Sequence, residues 1–231
     1  GEEEIGSPSL AGFIQQHTEL LGCDFSLNAD SGIIKPSLPA LVYGLRGLAY
    51  FELCVYGPSS DLHSGQFGGA VHNPAQVLCE VIAGMHQHDG SITLPGFYDT
   101  VRPLADEERI IMANVPYDEQ EFLRAAANPP ALHGEIGYTT IERVGARPTL
   151  EVNGLHSGFT GEGSKTVLPA KAMAKISMRL VPDQKATDVA QQLRTYLTKT
   201  VPKSVRWKLI ELANAPTAIV DRNTCGIRSA A

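Results

Sequence analysis

The sequence is poor in the features that mark several protein classes. Its 231 residues hold no apolar run near the roughly 20 residues of a membrane helix, so no membrane span is expected. Lysine and arginine number 19 against 25 acids, and no basic stripe with interleaved aromatics marks a nucleic-acid surface. Cysteine is sparse: Cys23, Cys54, Cys79 and Cys225 are scattered and lack metal-type spacing. The expectation is reduced thiols in a cytoplasmic protein, with no secretory signal in the first residues. The pattern His-x-Asp is absent. What remains, 43% hydrophobic and 19% charged at net charge −6, is ordinary for a globular chain of one or two domains.

Acid is concentrated at the opening, Gly1-Glu2-Glu3-Glu4-Ile5-Gly6-Ser7-Pro8. Ser7 is suited to cap a helix, and Pro8 to fill its first position, where no N–H is required. The glutamates then lie in a loop, where neighbouring side chains point in different directions. One carboxylate can hold a metal while its neighbour faces metal-bound water, the division of labour of metal-assisted hydrolysis. A solvated acidic turn is the competing reading.

Residues 9–21 carry Leu10, Phe13, Ile14, Leu20 and Leu21 in a helical pattern, with Gly22 as its stop. Residues 23–32 read as a strand ending in a turn at Asp30. Pro36 and Pro39 mark a linker. Residues 41–56 form one long strand or two, because Leu48, Tyr50, Glu52, Cys54 and Tyr56 alternate with Ala49, Phe51, Leu53 and Val55. A domain boundary is expected near Gly44-Leu45-Arg46-Gly47. Residues 57–69, rich in Gly and Ser, form a loop that holds His63, steadied by Asp61. Asn73-Pro74 starts a helix with Ala75, Leu78, Ile82 and Met85 on one stripe. His86, His88 and Asp89 are assigned to its solvated end, since both histidines cannot share one helix face. Residues 91–146 read as an insertion with short helices at 103–112 and 118–127, and with His133 in a loop.

Residues 158–166 nearly spell a phosphate-binding loop, but Ser164 separates Gly163 from Lys165. Pro169 would also interrupt the helix that must follow, so nucleotide binding is rejected. A strand over 170–181 puts Ala172, Ala174, Ile176, Met178 and Leu180 on one face. Lys171, Met173, Lys175, Ser177 and Arg179 form the other, towards solvent or a cleft. A helix over 188–200 and a strand over 204–213 follow. From residue 46 onward this is an α+β lid, a mainly antiparallel sheet with helices on one face.

Three stretches together resemble the co-catalytic zinc metallopeptidase family of carnosinase, cytosolic non-specific dipeptidase, aminoacylase and succinyl-diaminopimelate desuccinylase. They are Glu3-Glu4-Ile5-Gly6-Ser7, then Asp61-Leu62-His63-Ser64-Gly65 with Phe67-Gly68-Gly69, and Ser177-Met178-Arg179-Leu180-Val181-Pro182. The run from Asn153-Gly154 through Gly163, then Lys165-Thr166-Val167-Leu168-Pro169, is similar to the family's glycine-rich lid loop and its entry into a strand. The resemblance implies that Glu3 is the general base and that Glu4 and Asp30 are metal ligands, with Asp24 the rival of Asp30. It implies that His63 reaches from a second subunit to the scissile carbonyl oxygen. Arg179 would grip the substrate's free carboxylate, and Thr166 would touch the substrate.

The implied cofactor is zinc, two ions per site in the complete enzyme, with manganese or cobalt suiting the same donors. The implied partners are a small peptide or N-acyl amino acid as substrate and a second copy joined through the lid. Residues 1–45 would be an α/β catalytic-domain fragment and 46–216 the lid, with its insertion at about 91–146. Residues 217–231 would return towards the catalytic domain. Family enzymes supply further metal ligands, and often a His where Leu212-Ala213-Asn214-Ala215-Pro216 reads as a turn here. The expectation is a dipeptidase-like amide hydrolase carried out by a longer protein, with this stretch alone inactive. The alternative is a non-catalytic dimerisation or binding module.

Overall fold

The computed structural model describes residues 2, 6–28 and 40–230. Its elements begin with α1 (Leu10–Gln16), α2 (Thr18–Leu21), β1 (Gly44–Leu45), β2 (Gly47–Tyr56), β3 (Leu62–His63), α3 (Ser64–Phe67) and α4 (Pro74–Ala83). The insertion holds α5 (Asp106–Ala113), α6 (Glu119–Ala125) and α7 (Thr140–Ala146). Then come β4 (Thr149–Ser157), β5 (Val167–Leu168), β6 (Lys171–Leu180), α8 (Ala186–Thr200), β7 (Arg206–Ala215), β8 (Ala218–Ile219) and α9 (Cys225–Ala230). Two units result, Gly1–Gly44 with Ile219–Ala231, and Leu45–Ala218.

In the first unit the helix expected over 9–21 is broken at His17, whose φ of −120° and ψ of 29° are not helical. Ser7 is not its cap: it sits at φ +47°, and α1 starts at Leu10. Glu2 takes that work, its carboxylate accepting from the Ser9 N–H and hydroxyl, each at 3.0 Å. No strand occurs over 23–28, against expectation, and the rest of that stretch lies outside the described residues. Phe25 instead lies against Gly226 of α9, where a Cβ would stand 3.3 Å from its ring.

The second unit is built on a four-stranded antiparallel sheet in the order β4-β6-β2-β7. The period of two in β2 and β6 puts Ala49, Phe51, Leu53, Val55 and Ala172, Ala174, Ile176, Met178, Leu180 on one face, all buried. Helices α4 and α8 cover that face through Val77, Leu78 and Val81, and through Val189, Leu193 and Leu197. Asn73 caps α4 by accepting from the Ala75 N–H at 2.9 Å. At its other end the Tyr196 hydroxyl of α8 donates to the Val81 carbonyl at 2.9 Å. A carbonyl left over by the helix terminus thereby ties the two helices together. On the open face Lys175 and Glu52, opposite one another in register, form an ion pair at 2.6 Å.

Two expectations are corrected here. Residues 153–157 belong to β4 rather than to a loop, because a bulge between Val152 and Gly154 lets the strand absorb Asn153-Gly154. Residues 212–215 are not a turn, because β7 pairs with β2 as far as Ala215↔Leu48. The insertion is anchored by buried polar groups. Gln184 accepts from the Val181 N–H at 3.0 Å and donates to the Phe97 carbonyl at 2.8 Å. Glu142, 2% exposed, closes the capping box of α7 with Thr139 and pairs with Arg109 at 2.8 Å.

Candidate functional site

The segment holding His63 is more ordered than its Gly and Ser content suggests. Leu62 and His63 pair with Leu168 and Val167 as a two-stranded ribbon, and α3 begins at Ser64. Asp61 steadies the segment by accepting from the Ala170 N–H at 2.8 Å, and the Ser64 N–H donates to the Thr166 carbonyl at 3.1 Å. The His63 ring is held from both sides. Nδ1 accepts from the Gly65 N–H at 3.0 Å, and Nε2 lies 3.1 Å from the Thr166 hydroxyl. An accepting Nδ1 fixes the neutral tautomer with its proton on Nε2, which donates to Thr166 Oγ1. Gly65 is required there: a Cβ would stand 2.8 Å from His63 Cε1. Both His63 and Thr166 are exposed. An oxyanion on an incoming substrate that replaces the Thr166 hydroxyl as acceptor can be stabilised by this surface N–H.

Arg179 is exposed on the open face of β6, opposite Leu48 of β2 and Thr149 of β4. The His63 ribbon joins the sheet at the other end, where Tyr56 faces Lys171 and the Gly57 N–H donates to the Ala170 carbonyl. The eight residue steps of strand from Lys171 to Arg179 span about 26 Å. His63 and Thr166 are therefore brought together, and Arg179 is kept apart from them. Glu3, Glu4 and Asp30 lie outside the described residues. Among the described residues no group of three or more His, Cys, Asp or Glu side chains converges on a metal position.

A second arginine, used above only as a boundary marker, stands near Arg179. Arg46 precedes β2 and is half-buried, with no hydrogen bond or ion pair to a described residue. Burial and the like charge of Arg179 both push its guanidinium down from the ordinary arginine value. Its sequence signal is weak, a lone Arg between Leu45 and Gly47. The histidine expected at the solvated end of α4 is also placed differently. The helix stops at Ala83, and His86 pairs with Ile92 across the next turn. Residues 158–166 form a loop with positive φ at Gly158 and Gly163, and β5 follows it.

No helix among the described residues is long and apolar enough to cross a membrane. The peptidase dimerisation domain family matches residues 43–205. The chain is 34% identical to the Cys-Gly metallodipeptidase dug1 of Schizosaccharomyces pombe over 201 residues, covering 86% of the chain and 42% of that protein. An M20 family metallo-carboxypeptidase of Sulfolobus solfataricus superposes at TM-score 0.81 with 31% identity, over 99% of the chain and 51% of that structure. Human carnosine dipeptidase 1 superposes at 0.76 with 28% identity, over 99% of the chain and 49% of that structure. The chain thus spans about half the length, or less, of these relatives. With a peptidase dimerisation domain over most of its length, the chain belongs to the M20 metallopeptidase family.

Proposed function

We propose that this chain is the lid and dimerisation portion, with adjoining catalytic-domain residues, of a metal-dependent dipeptidase-like hydrolase. Its substrate is a small peptide or N-acyl amino acid with a free carboxylate. The observation that carries this reading is the exposed His63, held at the Lys171 end of the sheet, with Arg179 at the other end, about 26 Å along β6 from Lys171. A dipeptide, spanning about 7 Å of extended chain, cannot touch both in one subunit. A two-fold dimer resolves this, since each subunit then lends its His63 and Thr166 to the Arg179 side of its partner. The similarity of the chain to Cys-Gly and β-Ala-His dipeptidases supports this reading. The four free cysteines suit a cytoplasmic setting.

Glu4 and Asp30 would hold the metal, and their carboxylates suit zinc, which when bound lowers the pKa of water beside it. Glu3 would take the proton from that water. His63 would turn its Nε2–H from the Thr166 hydroxyl to the developing oxyanion, its ring kept in place by the Gly65 N–H on Nδ1, and Arg179 would bind the carboxylate bidentately.

Two measurements on the complete enzyme test the reading. Glu3→Gln should abolish dipeptide hydrolysis while the metal content stays at the wild-type level; retained turnover refutes the base assignment. His63→Ala and Arg179→Ala should each be inactive. Mixed and re-associated, they should recover about a quarter of wild-type activity, because half the dimers are mixed and each has one intact site. No recovery would place both residues in one subunit's site. A second reading, a non-catalytic dimerisation module, rests on the span of the matched domain over residues 43–205. Stable dimers of the complete protein without hydrolysis of any dipeptide would favour it.

A further inference from the structure

A cavity of about 320 Å³ opens beside the edge strand β4, lined by side chains of Arg46, His86, His133, Arg143 and Glu151. Its walls are fixed. The Ile136 N–H donates to the Asp89 carbonyl at 2.8 Å, laying residues 133–137 along the turn after α4. Gly90 makes that approach possible, since at φ +82° its Cβ would stand 2.8 Å from the Gly134 carbonyl group.

The charges in this cavity do not cancel. Arg147 and Glu135 neutralise each other through a bidentate pair at 2.7 and 2.8 Å, and the Arg147 guanidinium also lies 4.2 Å over the Tyr138 ring. Arg143 spends only its Nε, on the Glu135 carbonyl at 2.9 Å, and its terminal nitrogens bond to no described residue. Arg46 bonds to none, although burial and Arg179 disfavour its charge. Glu151 is exposed, with no hydrogen bond or ion pair to a described residue. Partial burial lowers the His86 imidazole from the ordinary histidine value; Glu151 and a hydrogen bond with the Leu150 backbone oppose this, and His133 adds to it. Two unspent guanidiniums and one unspent carboxylate are left to face the same space.

We propose that this cavity binds an amino acid with an acidic side chain, its two carboxylates taken by Arg46 and Arg143 and its ammonium by Glu151. The volume lies at the small end of the roughly 300–1,000 Å³ range of ligand pockets, which suits one amino acid rather than a nucleotide. Planar guanidiniums grip carboxylates bidentately, and partial burial strengthens the pairing. This inference stands apart from the hydrolase reading, since it is measured as binding to the 231-residue chain itself.

The test is titration of the chain by calorimetry at neutral pH with L-glutamate, L-glutamine and glutarate. L-Glutamate should saturate a single site. L-Glutamine, lacking the second carboxylate, and glutarate, lacking the ammonium, should each bind about tenfold more weakly or worse. Arg46→Met and Arg143→Met, which keep the apolar stem, should weaken L-glutamate about tenfold each. Glu151→Gln should weaken L-glutamate and leave glutarate unchanged. The ligand comparison on the unmutated chain keeps the test decisive even if a variant folds poorly. Absence of saturable L-glutamate binding, or equal affinity for all three ligands, overturns the proposal. So does binding lost in Arg179→Met but intact in Arg46→Met and Arg143→Met, which would put the carboxylate at Arg179 instead.

Discussion

At the scale of single residues, the position of His63 depends on an atom that Gly65 lacks. The Gly65 N–H can reach Nδ1 only because no Cβ stands between the backbone and the ring. Gly65→Ala should therefore swing the imidazole off Thr166 without unfolding the domain. Nitrogen NMR of the His63 ring should show the loss of one dominant tautomer, and an unchanged Nε2–H form would contradict this account. The identities of His63, Thr166 and Arg179 were legible as motif positions. Their separation was not, because a motif says nothing about which end of a sheet it occupies. Arg46 was hidden for a related reason: its role comes from burial beside Arg179 and the cavity, neither of which one arginine at a strand start announces.

At the scale of elements, patterns written by burial on one face were the readable ones. The alternation in β2 and β6 and the apolar stripes of α4 and α8 report contact with one shared core. Leu53, fully buried in the central strand β2, should cost about 2–5 kcal/mol when cut to Ala, read as a lower urea midpoint of the second unit. A loss under about 1 kcal/mol would mean that the site collapses to fill the space. Elements with little burial misled. Helices α1 and α2 bury no residue, so no packing enforces the continuous helix that their leucines suggest. Strand β4 hid behind Asn153-Gly154, a turn signal that pairing with β6 turned into a bulge. The short α7 was missed too, although Thr139 and Glu142 form a capping box three residues apart.

At the scale of the whole molecule, acid should loosen the second unit through several carboxylates held in their charged form. Burial pushes Glu142 up, but the Thr139 N–H and Arg109 outweigh it and hold Glu142 below the ordinary glutamate value. Hydrogen bonds from Lys175 and Cys54 lower Glu52, and one from Arg102 lowers Asp183. A depressed folded-state value means stability that is present above the unfolded-state value and lost as pH falls through the folded one. The urea midpoint should thus hold steady near neutrality and decline below about pH 4, and Glu142→Gln should flatten that decline. An acid profile identical in the variant would exclude Glu142 as a contributor. By itself the sequence determined the class of the lid, the alternation of its strands, the stripes of its helices and the residue types available for hydrolysis, because those are local and periodic. Only the tertiary structure decided that His63 meets Thr166, that Arg179 stands a sheet's length away, and that uncompensated charges of both signs share one cavity. Such facts depend on strand register and on chain segments far apart in sequence packing together, which no local pattern encodes.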